Sequence, residues 1–158
     1  MNQQVGIAEM KISSHPDDVL ITYSLGSCVG LSVYDPQAGI GGMVHTMLPL
    51  SSADPVKAQS RPCMFTDSGI ELMLNELFGR GARKNNLVIK VAGGATMLDQ
   101  QEIFRIGERN VAIVRKLMWK NGILIKAIEV GGTISRTMSL EIATGITRIR
   151  SNGQAHEL

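Results

Sequence analysis

Two residues stand out for what they could do together. Cys28 sits between glycines in Gly26-Ser27-Cys28-Val29-Gly30, and His45 follows in Gly41-Gly42-Met43-Val44-His45-Thr46-Met47-Leu48-Pro49. A thiol and an imidazole within reach of each other are the minimum apparatus for nucleophilic attack on an acyl carbon. Glycines beside the thiol let a substrate and backbone N–H donors come close, because no Cβ intervenes. Each residue also has a blander use. A lone cysteine is most often a small buried hydrophobe, and a strand histidine is most often a hydrogen-bonded structural group. Spacing alone leaves the catalytic and the structural readings level.

Other chemistries have less behind them. Neither the two cysteines nor the three histidines fall at zinc-ligand spacings, and there is no Cys-x-x-Cys. No Ser-His-Asp arrangement competes. Gly26-x-Cys28-x-Gly30 imitates the nucleophile elbow of the α/β hydrolases, but that elbow must lead into a helix. Val29 to Tyr34 reads as strand, so the elbow is rejected.

The elements that must position the pair form a hairpin. Val19 to Tyr23 is a β-branched and aromatic run, hence a strand, and Val29 to Tyr34 is a second. Asp35-Pro36-Gln37-Ala38-Gly39 is a turn, and Gly42 to Leu48 returns as strand until Pro49. With Asp35 opposite Ile40, Gly30 faces His45 and Cys28 faces Met47. Cys28 and His45 then lie on one face as diagonal neighbours, roughly 7–8 Å apart at Cα. A slip of one residue, for which a bulge at Gly41-Gly42 would suffice, would put them on opposite faces.

The remaining elements are read from periodicity and punctuation. Val5, Ile7, Glu9 and Lys11 alternate as a first strand, and Ser13 to Asp18 is a loop whose His15 is a solvated surface residue. Ser51 to Pro62 is a polar loop without periodicity, and Cys63 after it is a structural thiol. A helix follows, with a capping box at Ser68-x-x-Glu71, an apolar face of Ile70, Met73, Leu74 and Leu77, and stops at Gly79 and Gly81. Leu87 to Ala92 is a buried strand, and Gly93-Gly94 serves close packing or a tight turn, since no phosphate-binding lysine follows. A second helix spans Asn110 to Asn121, with Val114, Leu117 and Met118 inward and Gly122 as its stop. Strands at Ile123 to Val130, Thr137 to Ala143 and Ile146 to Ile149 complete residues 1–150. Residues 151–158, including His156, form a polar, disordered tail. The expected fold is α/β: a single-domain layered α/β sandwich with mostly antiparallel strands and two main helices.

Composition sets the surroundings. At 158 residues the chain fits one domain with a real core, packed by aliphatics and nine methionines because only 4% of residues are aromatic. No apolar run approaches the ~20 residues needed to cross a bilayer, which speaks against membrane insertion. The N-terminus lacks a basic region followed by an apolar one, so no signal peptide is expected. Both cysteines are expected free in a reducing cytoplasm. The net charge of +2 is spread along the chain and leaves no nucleic-acid footprint.

Five motifs occur in order: Leu25-Gly-Ser-Cys-Val29, Gly41-Gly-Met-Val-His-Thr-Met-Leu-Pro49, Gly93-Gly-Ala-Thr-Met97, Ile106-Gly-Glu-Arg-Asn110 and Gly131-Gly-Thr-Ile-Ser-Arg136. Together they resemble the CheD family, the chemoreceptor glutamine deamidases of bacterial and archaeal chemotaxis. The resemblance implies Cys28 as nucleophile, His45 as general base and Thr22 as the residue that orients the imidazole. Backbone N–H groups around Ser27 and Cys28 would then bind the substrate's developing oxyanion. It implies hydrolysis of receptor glutamine side chains through a thioester, with no cofactor and no metal, and a possible glutamyl methylesterase side activity. The implied partners are the cytoplasmic domains of chemotaxis receptors and a CheC-type phosphatase. For the latter Phe104 is a candidate exposed contact, against the alternative that it fills the core. A non-catalytic regulator docking on receptors and phosphatase is the rival function. Two positions depart from the family pattern, Ser135 in place of a glycine and Ala92 in place of a bulky aromatic, and both lie outside the catalytic segment.

Overall fold

The structure is a computed structural model that describes residues 1–97 and 104–158. Among the described residues, ten strands make two five-stranded sheets. The first has β1 (Asn2–Gln4), β3 (Val19–Leu25), β8 (Arg136–Glu141), β9 (Thr147–Ser151) and β10 (Gln154–Glu157), in that order. The second has β2 (Glu9–Ser13), β5 (Ile40–Thr46), β4 (Val29–Asp35), β6 (Val88–Gly93) and β7 (Ile125–Val130). Pairing is antiparallel except for β1 on β3 and β7 on β6. The β6–β7 crossover carries α3 (Ile106–Lys120), as a parallel pair requires.

Burial parity explains the layering. Every residue of β4 and β5 is buried, as expected of central strands covered on both faces. Val29, Leu31, Val33 and Val44 point to one side, where they join Ile70, Met73 and Leu77 of α2 (Thr66–Gly79) and Val114 and Met118 of α3. Tyr34 and Met43 point to the other side, against Leu20, Leu25, Met138 and Leu140 of the first sheet. The molecule is therefore sheet on sheet on helices, and the expected single-domain α/β sandwich is what forms.

The hairpin register is the expected one. Asp35 pairs with Ile40 and Gly30 with His45, and the ladder runs unbroken to Val29 opposite Thr46. Gly41-Gly42 introduces no bulge. Gly41 is needed for space instead, since a Cβ there would lie 3.0 Å from Leu140, Ile142 and Tyr34 side-chain atoms.

Elsewhere the structure corrects several expectations. The opening segment is two strands in different sheets. Ala8 takes a left-handed φ of 61° and sends its N–H to the His45 carbonyl, so the alternation from Val5 to Lys11 does not belong to one strand. Ser51–Pro62 is not a featureless loop: it holds a 3-10 turn at Ser51–Ala53 and a short helix α1 (Pro55–Ser60). The Asp54 carboxylate caps α1 by accepting from the Lys57 N–H, and Pro55 supplies a φ suited to the first turn. The Ser68 capping box does not form. α2 begins at Thr66, so Ser68 lies inside it and donates its hydroxyl to the Pro62 carbonyl. α3 begins four residues before Asn110, at Ile106. The tail is ordered: Asn152 and Gly153 both have positive φ (50° and 76°), the geometry of a tight hairpin turn, and β10 folds back antiparallel on β9. His156 there meets the Glu129 carboxylate at 2.5 Å.

Candidate active site

The site lies in the gap between the two sheets. Alternate residues of β5 face that gap, and His45 is one of them, fully buried. Across the gap stands Thr22 of β3, also fully buried, whose Oγ1 is 2.7 Å from His45 Nδ1. The same hydroxyl donates to the Val5 carbonyl at 2.7 Å. A hydroxyl has one proton to give. With that proton committed to Val5, Thr22 accepts from Nδ1–H, which fixes the tautomer and leaves Nε2 with its lone pair. Nε2 is buried and has no hydrogen-bond partner among the described residues. It is an orphaned base nitrogen.

Cys28 immediately precedes β4, on the parity of Gly30, the residue opposite His45. It is half-buried and packs against the inter-sheet cluster, whereas its neighbour Val29 joins the helix-side core. Continued one residue past the ladder, that parity would set Cys28 diagonal to His45 on the same face. Thr22 arrives by a different route. Ser24 turns left-handed (φ 60°) and Gly26 N–H bonds back to the Ser24 carbonyl, so no extended strand connects Thr22 with Cys28. The hydroxyl reaches the imidazole from the opposing sheet.

Backbone contacts hold the cysteine in place. Gly94 N–H donates to the Cys28 carbonyl at 2.9 Å and Ala95 N–H to the Gly26 carbonyl at 2.8 Å. Gly93 has φ +104°, and a Cβ there would stand 2.3 Å from the Cys28 carbonyl oxygen. Close approach, not anion binding, explains the Gly-Gly pair. The buried Arg136 guanidinium donates to the carbonyls of Gly93 and Gly131 and pairs with Glu129 at 2.8 Å, bracing the same turn. Ser135, the departure beside it, is exposed, while Ala92 is buried opposite Gly30.

The remaining candidates divide. Ser27 is buried next to Cys28, and its carbonyl accepts from Asn110 Nδ2 at 3.0 Å. Phe104 lies just before α3 and is 62% exposed, so it does not fill the core. No three His, Cys, Asp or Glu side chains come together as a metal site among the described residues. Asn110 and Arg136 went unread in the sequence, although both stand in the recurring motifs. A polar side chain in an otherwise apolar helix face was the available signal for Asn110.

Burial sets the protonation state. It pulls the His45 imidazole down to about 4 and pushes the Cys28 thiol up, an effect that the cysteine's own backbone N–H partly offsets. At neutral pH the pair is thiol and neutral imidazole, not thiolate and imidazolium. Alkylation should reveal this. Iodoacetamide should modify half-buried Cys28 ahead of buried Cys63, with a rate that keeps climbing above the ordinary thiol range near pH 8.5. A plateau below neutral pH would instead mean an ion pair. Thr22 offers a second check. Thr22→Val strands the Nδ1–H, a loss of about 1–3 kcal/mol that corresponds to roughly a tenfold to hundredfold slower turnover, whereas Thr22→Ser should stay close to wild type. Equal rates for both would show that the hydroxyl does not orient the imidazole.

Comparison with known proteins follows the same lines. Residues 47–151 match the CheD family, described as CheD chemotactic sensory transduction, a span that includes Asn110 and Arg136 and begins just after His45. A Solibacter usitatus protein named "Probable chemoreceptor glutamine deamidase CheD" is 49% identical over 98% of this chain and 91% of its own length. A Syntrophus aciditrophicus protein named "Probable chemoreceptor glutamine deamidase CheD 1" is 44% identical over 94% of this chain and 93% of its own. Among solved structures, the Bacillus licheniformis hypothetical protein YfiH gives a partial likeness, with TM-score 0.46 and 16% identity over 77% of this chain and 49% of that one.

Proposed function

The chain belongs to the CheD family, and from that premise we propose that it is a chemoreceptor glutamine deamidase with Cys28 as nucleophile and His45 as base. The observation that carries the assignment of roles is the Thr22–His45 bond, which presents an unpartnered Nε2 to the face that also bears Cys28. As the sulfur attacks the side-chain carbonyl of a receptor glutamine, Nε2 takes the thiol proton. The resulting imidazolium gives that proton to the departing amine, so ammonia leaves and a thioester forms. Water, deprotonated by the now neutral His45, attacks the thioester carbonyl. The thiolate leaves and recovers its proton, and the glutamine has become glutamate. Thr22 holds the ring through both proton transfers, the third-group role of a triad without a carboxylate. Backbone N–H groups near Ser27 and Cys28 stabilise the tetrahedral oxyanion, a contribution of several kcal/mol where such donors are preorganised.

The substrate is the cytoplasmic part of a chemotaxis receptor, so the protein works in the cytoplasm. Among the described residues no helix is long and apolar enough to cross a membrane. The same thioester would form from a glutamyl methyl ester, with methanol leaving, and esterase activity is the natural side reaction. A docking role beside catalysis, on a CheC-type phosphatase, has one observation in its favour: Phe104 is exposed ahead of α3.

Incubation with the receptor's cytoplasmic fragment tests the central claim. Mass spectrometry should show a gain of about one dalton at particular glutamines, the difference between a carboxamide and a carboxylate, together with released ammonia. An unchanged fragment after prolonged incubation would leave docking as the function.

A further inference from the structure

The β4–β5 ladder holds His45 opposite Gly30 and ends at Val29 opposite Thr46, one residue short of Cys28. Past that rung the strands part. The N–H groups of Met47 and Leu48 both turn to the Met64 carbonyl, and the Cys28 carbonyl is taken by Gly94. His45 is thus held by the ladder, whereas Cys28 lies beyond the hairpin's own hydrogen bonds.

A side chain from α3 fills the gap. Asn110 is fully buried, and its Nδ2 donates to the Ser27 carbonyl at 3.0 Å and to the Met47 carbonyl at 2.9 Å. One of these residues precedes the cysteine and the other lies two past the histidine. Its Oδ1 accepts from Thr66 Oγ1 at 3.1 Å, and Thr66 Oγ1 lies 2.8 Å from Thr46 Oγ1 in the last rung. The carboxamide orientation is settled by its partners, since the reverse would aim an oxygen at two carbonyls. Asparagine is a poor helix former, and a buried amide is costly unless bonded. An apolar residue here would pack on the surrounding core without that cost, so the position is paid for by what it holds.

We propose that Asn110 is a positioning residue for the reaction: its carboxamide is a side-chain rung that extends the hairpin past its end and fixes the nucleophile against the base. This rests on the assignment of Cys28 and His45 above. Misplacing a reacting group by about 1 Å can cost on the order of 10²-fold in rate.

The test compares Asn110→Leu and Asn110→Asp with Thr66→Val. The first two remove both donors to the carbonyls, the aspartate keeping the shape, while the third leaves those donors in place. Each variant is measured for kcat and KM on the receptor fragment, for the rate of Cys28 alkylation by iodoacetamide, and for its urea midpoint. The expected result is kcat lower by ~10²-fold with KM unchanged in both Asn110 variants, altered Cys28 alkylation in the native protein, and kcat within about threefold of wild type in Thr66→Val. If one Asn110 variant does not fold, the other carries the measurement. Wild-type kcat and alkylation in either Asn110 variant, with only the urea midpoint lowered, would overturn the proposal. Alkylation needs no substrate, so failure of the deamidase assignment and failure of the rung are seen separately.

Discussion

Cys28→Ala should fold normally and fail to deamidate, with a rate lower by on the order of 10⁶-fold, the scale seen when the nucleophile of a hydrolytic triad is removed. The fold is expected to survive because Cys28 is only half-buried, at the margin of the inter-sheet cluster. Its carbonyl bond to Gly94 belongs to the backbone and persists. In the proposed mechanism what disappears is the sulfur that would form the thioester, and a neutral imidazole acting on water alone would not replace that step. Cys28→Ser should be nearly as inactive, since a hydroxyl is a much weaker acid than a thiol and the unaided imidazole is a weak base. Cys63→Ala should keep full activity, because Cys63 is packed in the turn before α2. The decisive measurement is the rate of mass gain on receptor glutamines. Deamidation by Cys28→Ala at the wild-type rate would end the covalent mechanism.

The second large effect belongs to His45. His45→Leu removes the base and should cost roughly 10²- to 10⁴-fold in kcat, the usual range for general-base assistance. It should also change how stability depends on pH. In the folded protein His45 titrates at about 4, whereas in the unfolded chain it titrates near 6.5. Between those values the unfolded state binds a proton that the folded state refuses. Stability present above pH ~6.5 is therefore lost as pH falls toward 4. His45→Leu lacks the titrating group, so its melting temperature should decline less between pH 7 and pH 4.5. For wild type the acid limb of kcat should lie well below 6.5, near the depressed value. Parallel melting curves for both proteins, or an acid limb near 6.5, would show that the imidazole is solvated and not held neutral.

Legibility in the sequence tracked the range of the interaction. The hairpin register could be read because its turn, Asp35 to Gly39, and its end at Pro49 bracket two runs of matched length. That register brings Gly30 opposite His45. The Thr22–His45 bond could not be derived the same way, because it crosses between sheets and depends on their docking, which no local pattern specifies. Nor does strand parity connect Thr22 with Cys28, because the left-handed turn at Ser24 interrupts the strand between them. The apolar periodicity of Val114, Leu117 and Met118 gives a helix start at Asn110. Four more residues join α3 ahead of it, where Gly107 lets the helix approach Ala95 so closely that a Cβ would lie 2.4 Å from its carbonyl oxygen. Two local signals were present and unused. Asp54-Pro55 announces α1, and Asn152-Gly153 announces the hairpin to β10.

Because Thr22 and His45 belong to different sheets, their 2.7 Å bond works as a calliper on the gap between them. Aligned sheets stand about 10 Å apart, and the side chains between them set that figure. A methyl group at Gly30 would meet Leu25 at 2.8 Å and Met138 at 3.0 Å, side chains of the opposing sheet. Bulk added there opens the calliper, and the orienting bond is the first thing lost. If Thr22 orients the base as proposed, turnover should report thickness as much as chemistry. Core substitutions between the sheets will sort by the width they impose, and only secondarily by the stability they cost.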